Sequence, residues 1–206
     1  MANTTGETMK TVLQINTSLF GEHGQSSRLA ASLVEQLLGP NDRLIQRDLA
    51  VDPVPHLTAQ RFSAFTTAEA ERTAEQREVA AYSDRLIDEL RAADVVVLGL
   101  PMYNFGVPSS LKAYFDHVAR AGVTFRYTAQ GPQGLLTGKK GYVLATRGGF
   151  YRGTSRDSQS SYVRDFFAFL GIDDVEFIYA EGLAVSPDKR DTALDAANSS
   201  IAQLAA

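Results

Sequence analysis

The segment Asp94-Val-Val-Val-Leu-Gly-Leu100 constrains the fold more than any other part of this sequence. After Asp94, its residues are apolar at positions that would face both sides of a strand, whereas a strand with one side in water alternates apolar and polar residues. A strand that is apolar on both sides is typical of a parallel sheet with helices packed above and below. The chain is therefore predicted to build an α/β domain around this central strand.

Strand and helix patterns alternate along the rest of the chain. Short apolar runs with β-branched residues predict strands at 10–16, 43–48 and 140–146, and one more before the C-terminal helix. Apolar residues three and four positions apart predict helices at 26–38, 70–91, 109–121 and around 158–170. Ser26 is predicted to be the N-cap of the first helix. The prolines in segment 52–55 begin an irregular excursion.

The crossovers between strands are long enough to contain helices, and no repeat or linker interrupts the alternation. The sequence therefore predicts one domain over residues 10–206, an α/β doubly wound parallel sheet of about five strands with helices on both faces. The polar residues 1–9 are predicted to be a flexible tail. No element is predicted for the Gly-rich aromatic segment that ends at Gly138.

The composition excludes several classes of function. The chain has no cysteine, so disulfides, thiolate nucleophiles and cysteine-bound metal clusters are excluded, and redox chemistry would need a cofactor. A net charge of −4 argues against binding nucleic acid, and no apolar run is long enough to cross a membrane. The start lacks a secretory signal pattern, so a cytoplasmic location is expected. His23, His56 and His117 lack the spacing of metal ligands, and no metal site is predicted.

Three loops that follow strands are the expected ligand site, because ligands bind beyond the carboxyl ends of the strands in such sheets. The loop at 16–27 is rich in Ser and Thr and leads into a helix N-terminus, where hydroxyl and free N–H groups can bind an anion. The loop at 101–110 mixes large aromatic residues with Asn between prolines and can form a wall for a flat ring. The loop at 146–151 has two adjacent glycines, which allow close backbone approach.

Each loop alone also has a simpler interpretation: hydroxyls that cap a helix, aromatic residues at the rim of the core, and an ordinary glycine turn. The GxGxxG and GxxxxGK[ST] phosphate motifs are absent, so neither a Rossmann dinucleotide site nor a P-loop is indicated. Taken together, the loops combine a phosphate-binding end, a flat apolar middle and an edge rich in N–H groups. That combination predicts FMN as the ligand.

Four long stretches carry a family resemblance: Pro101-Met-Tyr-Asn-Phe105, Leu111-Lys-Ala-Tyr-Phe-Asp116, Ala119-Arg-Ala-Gly-Val-Thr-Phe-Arg-Tyr-Thr128 and Gly131-Pro-Gln-Gly-Leu-Leu-Thr-Gly-Lys-Lys140. With them, the sequence resembles the FMN-dependent NADH-azoreductases, flavodoxin-like homodimers related to the NAD(P)H quinone reductases. The likeness runs nearly end to end. It implies a flavodoxin-like fold, FMN as cofactor, NADH as electron donor, quinones and azo dyes as acceptors, and a homodimer whose active site lies at the interface.

The resemblance also implies roles for individual residues. Ser18, Gly24, Gln25 and Ser26 would hold the FMN phosphate, Pro101, Met102, Tyr103, Asn104 and Phe105 would flank the isoalloxazine, and Thr146, Arg147, Gly148 and Gly149 would line its pyrimidine edge. The flavin would carry the chemistry, with Asn104, Arg147 and Tyr151 as candidate catalytic residues and Tyr127, Phe169 and Tyr151 as candidate substrate contacts. Gly24 and Tyr151 depart from the family pattern, because relatives commonly have Ser at the first position and some have His at the second.

The implied reaction is a ping-pong transfer of two electrons. NADH would give a hydride to flavin N5 and NAD⁺ would leave, and the acceptor would then use the same face. One such cycle turns a quinone into a hydroquinone, and two cycles supply the four electrons that turn an azo compound into amines. Three alternatives stay open: a one-electron carrier of the flavodoxin type, a quinone reductase with incidental azo activity, and a regulatory domain that has lost the flavin. The aromatic loops favour an enzyme over a carrier.

Overall fold

The computed structural model describes residues 9–204, so the predicted tail lies outside the described residues except for Met9. The described residues form seven strands: β1 (Thr11–Asn16), β2 (Arg43–Asp48), β3 (Val95–Pro101), β4 (Phe125–Thr128), β5 (Gly131–Gly134), β6 (Lys140–Thr146) and β7 (Asp174–Ala180). They also form six α-helices: α1 (Gln25–Leu37), α2 (Ala59–Thr66), α3 (Ala74–Ala92), α4 (Ser109–Val118), α5 (Ser160–Leu170) and α6 (Pro187–Leu204).

Five of the strands form one parallel sheet in the order β2-β1-β3-β6-β7, which confirms the predicted doubly wound α/β fold. β3 lies in the centre, and every residue of this strand is buried, as its apolar sequence predicts. The chain first builds the sheet outward from β1 to β2 and then returns to the other side of β1 for β3. The order of the strands therefore reverses between β1 and β3.

Helices cover both faces of the sheet, as predicted. On one face, Leu33 of α1 packs in a cluster with Val97 of β3, and α6 contributes to the same cluster. On the other face, Ile87 of α3 and Phe167 of α5 pack in a cluster with Leu98 of β3. Val97 and Leu98 belong to different clusters because neighbouring residues of a strand point to opposite faces. The apolar pattern of β3 thus requires both helical layers.

Several helices begin at other residues than the sequence predicts, because of their N-caps. The prediction that Ser26 caps α1 is wrong, because Gly24 is the N-cap and Ser26 lies inside the first turn. The helix predicted from residue 70 begins at Ala74, since Thr73 and Gln76 form a capping box in which each side chain accepts the other's backbone N–H, at 3.2 and 2.9 Å. The predicted irregular excursion contains α2, whose N-cap Thr58 was not recognised from the sequence.

The segment without predicted structure contains an antiparallel hairpin of β4 and β5. Its Phe125 ring packs against Phe169 of α5, with ring centroids 4.2 Å apart. β5 passes directly over the end of α5, where a Cβ atom on Gly134 would overlap the backbone of Gly171. The N–H of Leu136 then donates to the last α5 carbonyl, that of Leu170, at 2.8 Å. The hairpin therefore lies at the amino edge of the sheet, where α5 ends.

The imidazole of His117 is buried in α4, between the rings of Phe65 and Tyr82. Nδ1 lies 3.0 Å from the Ala113 carbonyl, and Nε2 has no partner within residues 9–204. Burial lowers the pKa of His117, and its hydrogen bond to Ala113 opposes this only in part. The folded protein therefore favours the neutral imidazole at neutral pH.

This burial predicts a pH-dependent stability. Because the pKa of His117 is lower in the folded than in the unfolded chain, its stabilising effect is complete above the unfolded pKa of about 6.5 and is lost as the pH falls through the folded value. Urea unfolding between pH 5.5 and 7.5 should show stability decreasing toward acid. His117→Gln should flatten that slope, whereas His23→Gln, at an exposed histidine, should keep it. Equal slopes in all three proteins would contradict the assignment.

Candidate functional site

The loops that follow β1 and β3 meet where the strand order reverses. The Tyr103 hydroxyl lies 3.3 Å from Ser18 Oγ and accepts the N–H of Leu19 at 3.2 Å. The Thr17 hydroxyl donates to the Gly99 carbonyl of β3 at 2.7 Å, which fixes the start of the first loop against the central strand. Such a crevice at the carboxyl edge is the usual ligand position in open α/β sheets.

The N-terminus of α1 is an anion-binding end of this crevice. The first helical hydrogen bond runs from Arg28 N–H to the Gly24 carbonyl at 3.0 Å, so the N–H groups of Gln25, Ser26 and Ser27 have no helical acceptor. The hydroxyls of Ser26 and Ser27 are buried, and neither has a hydrogen-bond partner within the described residues. Leaving a buried hydroxyl unpaired costs about 1–3 kcal/mol, which an anionic acceptor at this helix end would offset.

Gly24 closes the turn against Ser18. A Cβ atom at Gly24 would overlap both Cβ and Oγ of Ser18, so this turn has room only for glycine while Ser18 keeps its position. The backbone at Gly24 is extended, with φ −66° and ψ 141°, and close packing therefore explains the residue here. Gly24, where relatives commonly have Ser, is therefore tied to the conformation of Ser18. Ser18 is itself a residue expected to bind phosphate.

The loop after β3 is a tight turn with left-handed backbone at Asn104 and Phe105, whose φ angles are 50° and 63°. Tyr103 and Gly106 exchange backbone hydrogen bonds of 3.2 and 2.9 Å across it, as in a type I′ turn. A bulky residue such as Phe in this region costs about 1–2 kcal/mol. The N–H groups of Asn104 and Phe105 donate to no protein group in residues 9–204, so they are available to a ligand.

Gln159, immediately before α5, holds this strained turn from behind. Its side chain is fully buried, and Nε2 donates to the carbonyls of Pro101 and Gly106, each at 2.9 Å. The hydroxyl of Ser158 donates to the Phe105 carbonyl. Sequence analysis missed both residues, because polar residues before a helix carry no signal for which distant carbonyls they bind.

The turn after β6 directs two consecutive N–H groups into the crevice. The carbonyls of Arg147 and Gly148 accept the N–H groups of Leu183 and Ala184, in the loop after β7, at 3.1 and 3.0 Å. In a trans peptide the C=O and the next N–H point in opposite directions, so the N–H groups of Gly148 and Gly149 point away from β7 and toward β3. Two adjacent N–H groups on one side form an anion-binding concavity.

The Arg147 guanidinium lies inside the protein and not at the surface of the crevice. Its side chain is fully buried and pairs with Asp157 at 2.7 Å and Glu181 at 3.1 Å. It also donates to Ser160 Oγ at 3.0 Å and lies over the ring of Tyr179. The charge of Arg147 is therefore already compensated, and among its groups only the backbone can line the crevice.

Tyr151 and Asn104, two of the candidate catalytic residues, lie in the loops after β6 and β3. The Tyr151 ring contacts Phe105, with centroids 5.5 Å apart, and its hydroxyl lies 2.7 Å from the position of a Cβ atom on Gly149. The loops after β3 and β6 therefore meet through Tyr151. Asn104 is exposed, and its side chain has no protein hydrogen bond within the described residues.

Tyr127 and Phe169, the candidate substrate contacts, lie away from the crevice of their own chain. α5 begins beside Pro101 at the carboxyl edge, whereas Phe169 lies nine residues farther along, about 14 Å down the helix axis. Tyr127 lies on the hairpin that packs at that same far end. These two rings therefore lie at the opposite end of α5 from the crevice.

Large exposed apolar side chains lie along the carboxyl edge of the sheet. Six that are 53–80% exposed lie on the loops after β1, β2, β3, β6 and β7: Leu19, Phe20, Val51, Phe105, Phe150 and Val185. Every strand of the parallel sheet thus contributes an exposed apolar residue to its carboxyl edge. Exposed apolar surface concentrated at one edge is typical of a site for an apolar ligand or partner.

Other cavities lie away from this edge. One of 760 Å³ lies between α2 and α3, beside Arg61 and Tyr82, and one of 670 Å³ lies at the amino edge beside Lys10 and Asp42. Within residues 9–204, no three His, Asp or Glu side chains gather as metal ligands do. None of the helices described is long and apolar enough to cross a membrane.

Comparison with known sequences identifies close relatives. Residues 10–205 match a family model described as the flavodoxin-like fold. An FMN-dependent NADH:quinone oxidoreductase of Cellvibrio japonicus is 53% identical over 197 residues, which cover 95% of this chain and 98% of that protein. One from Alcanivorax borkumensis is 53% identical over 192 residues, which cover 92% and 97%.

Solved structures show the same likeness. A crystal structure of an FMN-dependent NADH-azoreductase from Bacillus anthracis in complex with FMN has a TM-score of 0.84 at 28% identity, with 96% of this chain and 100% of that chain covered. An azoreductase structure from another strain of Bacillus anthracis has a TM-score of 0.85 at 30% identity, with 96% and 99% covered. The likeness thus extends over whole chains.

Proposed function

This chain belongs to the flavodoxin-like family of FMN-dependent NADH:quinone oxidoreductases, and we propose that its carboxyl-edge crevice binds FMN and uses it to reduce quinones and aromatic azo compounds with NADH. One observation carries the proposal for this site. The loops after β1, β3 and β6 meet there and present unpaired N–H groups at both ends of an aromatic wall. FMN has a phosphate, a flat ring system and a polar edge that match these three parts.

The phosphate end fits the N-terminus of α1. Gln25, Ser26 and Ser27 offer N–H groups without acceptors, and the buried hydroxyls of Ser26 and Ser27 lack partners in the described part of the chain. A helix N-terminus also favours negative charge through its dipole. Ser18 and Gln25 are the neighbouring side chains expected to complete this site.

The ring end fits the two remaining loops. Residues 102–105 supply the wall, with the free N–H groups of Asn104 and Phe105, and the N–H groups of Gly148 and Gly149 would line the pyrimidine edge. When bound, FMN supplies the hydride and electron chemistry that this cysteine-free chain lacks. The chain's own groups orient the ring and offer donors where negative charge develops. Tyr151 and Asn104 are the side chains placed to assist an acceptor.

A homodimer completes the proposed site. Tyr127 and Phe169 lie at the amino edge of their own chain, so they can approach an acceptor only when a second subunit presents its hairpin and α5 end. The two rings would add to the apolar residues around the crevice. The proposal includes a cytoplasmic location and no role for nucleic acid or membrane.

The main alternative is a one-electron carrier of the flavodoxin type. The aromatic residues around the crevice favour an enzyme, because they suit a small apolar acceptor rather than a protein partner reached by charge. The names of the relatives support quinones, and those of the solved structures support azo compounds. Both acceptor classes are flat and conjugated, so one pocket with aromatic walls suits both.

The proposal predicts a yellow protein that NADH bleaches without a partner protein. The purified chain should be loaded with FMN, and its visible spectrum recorded anaerobically before and after NADH. Donor and acceptor share one face of the flavin. Double-reciprocal plots of initial rate against NADH concentration, recorded at several quinone concentrations, should therefore be parallel. A protein that takes up no FMN would contradict the proposal, and intersecting plots would contradict the shared face.

A further inference from the structure

Arg147, Asp157 and Glu181 form a buried ion cluster directly beneath the turn that carries Gly148 and Gly149. The Arg147 side chain is 0% exposed, and those of Asp157 and Glu181 are 9% and 14% exposed. Burial alone would raise the pKa of Asp157, yet hydrogen bonds from Arg147 and Ser160 outweigh it and hold this pKa below its usual value. The Asp157 carboxylate is therefore stabilised in its charged form beside Arg147.

The contacts of the cluster reach both ends of the turn. Glu181 Oε1 accepts the N–H groups of Tyr151 and Arg152 at 2.8 and 2.9 Å, in addition to Arg147 Nη1 at 3.1 Å. Asp157 accepts the N–H of Ser160 at 3.1 Å, at the start of α5. Arg147 thus connects the end of β6, the loop after β7 and the beginning of α5.

A role in stability alone explains this arrangement poorly. Removing two carboxylates and a guanidinium from water is costly, and apolar residues of similar size often stabilise a protein as well as a buried ion cluster does. What apolar residues cannot do is hold the N–H groups of Tyr151 and Arg152 in one place. The planar fork of Arg147 is suited to orienting two carboxylates at once.

We propose that Arg147 is a positioning residue: with Asp157 and Glu181 it holds the turn 147–152 so that the N–H groups of Gly148 and Gly149 stay directed at the pyrimidine edge of the flavin. This inference rests on the proposed function for its ligand. The positive charge of Arg147 is paired with the carboxylates of Asp157 and Glu181 within the cluster. Its effect is transmitted by the backbone.

A test without flavin comes first, because it separates this inference from the proposed function. Arg152 and Arg156 are exposed in the loop that the cluster holds, and trypsin cleaves after arginine. In the FMN-free protein, Glu181→Gln and Arg147→Met should speed cleavage after Arg152 about tenfold, because the turn opens more often. Cleavage after Arg28, in α1, serves as an internal reference and should not change.

The second test measures bound FMN. Arg147→Met should weaken FMN binding about tenfold or more and make its reduction potential more negative, since the two N–H groups stabilise the charge of the reduced ring. Arg147→Lys should keep part of the wild-type FMN affinity and lie between Arg147→Met and the wild-type protein in reduction potential. Arg120→Lys is the matched control, because Arg120 is 6% exposed and pairs with Asp84 far from this edge.

The outcomes are distinct. The Arg120→Lys protein should be less stable than the wild-type protein. Its FMN affinity, its flavin reduction potential and its pattern of trypsin cleavage should be those of the wild-type protein. If Arg147→Lys and Arg147→Met lowered only the melting temperature, with cleavage, affinity and potential unchanged, the positioning role would be wrong. If the wild-type protein bound no FMN, the proposed function would fail, while faster cleavage after Arg152 would still show that the cluster holds the turn.

Discussion

Gln159→Leu should lower the free energy of unfolding by about 1–3 kcal/mol, because it removes the donor to the buried Pro101 carbonyl and leaves the Gly106 carbonyl with only the N–H of Tyr103. Gln159 is fully buried and donates to Pro101 and Gly106 at 2.9 Å each. Those carbonyls bracket the left-handed pair Asn104 and Phe105, whose strain persists only while its surroundings hold it. FMN affinity should therefore also fall, by about tenfold or more. Urea unfolding and a fluorescence titration with FMN measure the two effects.

The matched control is Gln133→Leu on β5. Gln133 is exposed, and its side chain accepts one hydrogen bond, from Arg126 Nε at 2.9 Å. Losing this hydrogen bond should change the free energy of unfolding by no more than about 0.5 kcal/mol and leave FMN affinity unaltered. Similar losses in both variants would show that Gln159 does not hold the turn.

Gly134→Ala should destabilise the protein by about 3 kcal/mol, at the upper end for overpacking. The added Cβ would overlap the backbone of Leu170 and Gly171, and two backbones cannot move apart as a flexible side chain can. The hairpin would have to leave the end of α5, with loss of the hydrogen bond from Leu136 to Leu170. Chemical unfolding measures the cost directly.

Gly39→Ala provides the comparison for this prediction. Gly39 is exposed, and a Cβ atom there would lie 3.4 Å from Asp42 Oδ2, at the limit of an ordinary van der Waals contact. We expect Gly39→Ala to change the free energy of unfolding by no more than about 0.5 kcal/mol. Alanine reduces the conformational freedom of the unfolded chain, which favours the folded state. If Gly134→Ala were equally mild, the close approach of hairpin and helix would be wrong. A proposed dimer that depends on the hairpin should weaken in Gly134→Ala alone.

Much of the site could be anticipated, because its position follows from the order of elements. Parallel strands end at one edge, so the loops at 16–27, 101–110 and 146–151 had to lie near each other once the sheet was recognised. The direction of individual side chains could not be anticipated in the same way. Arg147 was expected at the ligand, yet it turns inward to Asp157 and Glu181, which are 10 and 34 residues away in sequence.

The sequence by itself determined the α/β layers, the central strand β3 and the three strand-end loops, because hydrophobic periodicity reports which faces are buried and turn residues report where strands end. Tertiary structure alone decided that Gln159 supports the Asn104–Phe105 turn, that Gly134 meets Gly171, and that Phe169 lies at the far end of α5 from the crevice. These features depend on contacts between residues distant in sequence, and local patterns carry no information about which distant backbone a side chain will meet.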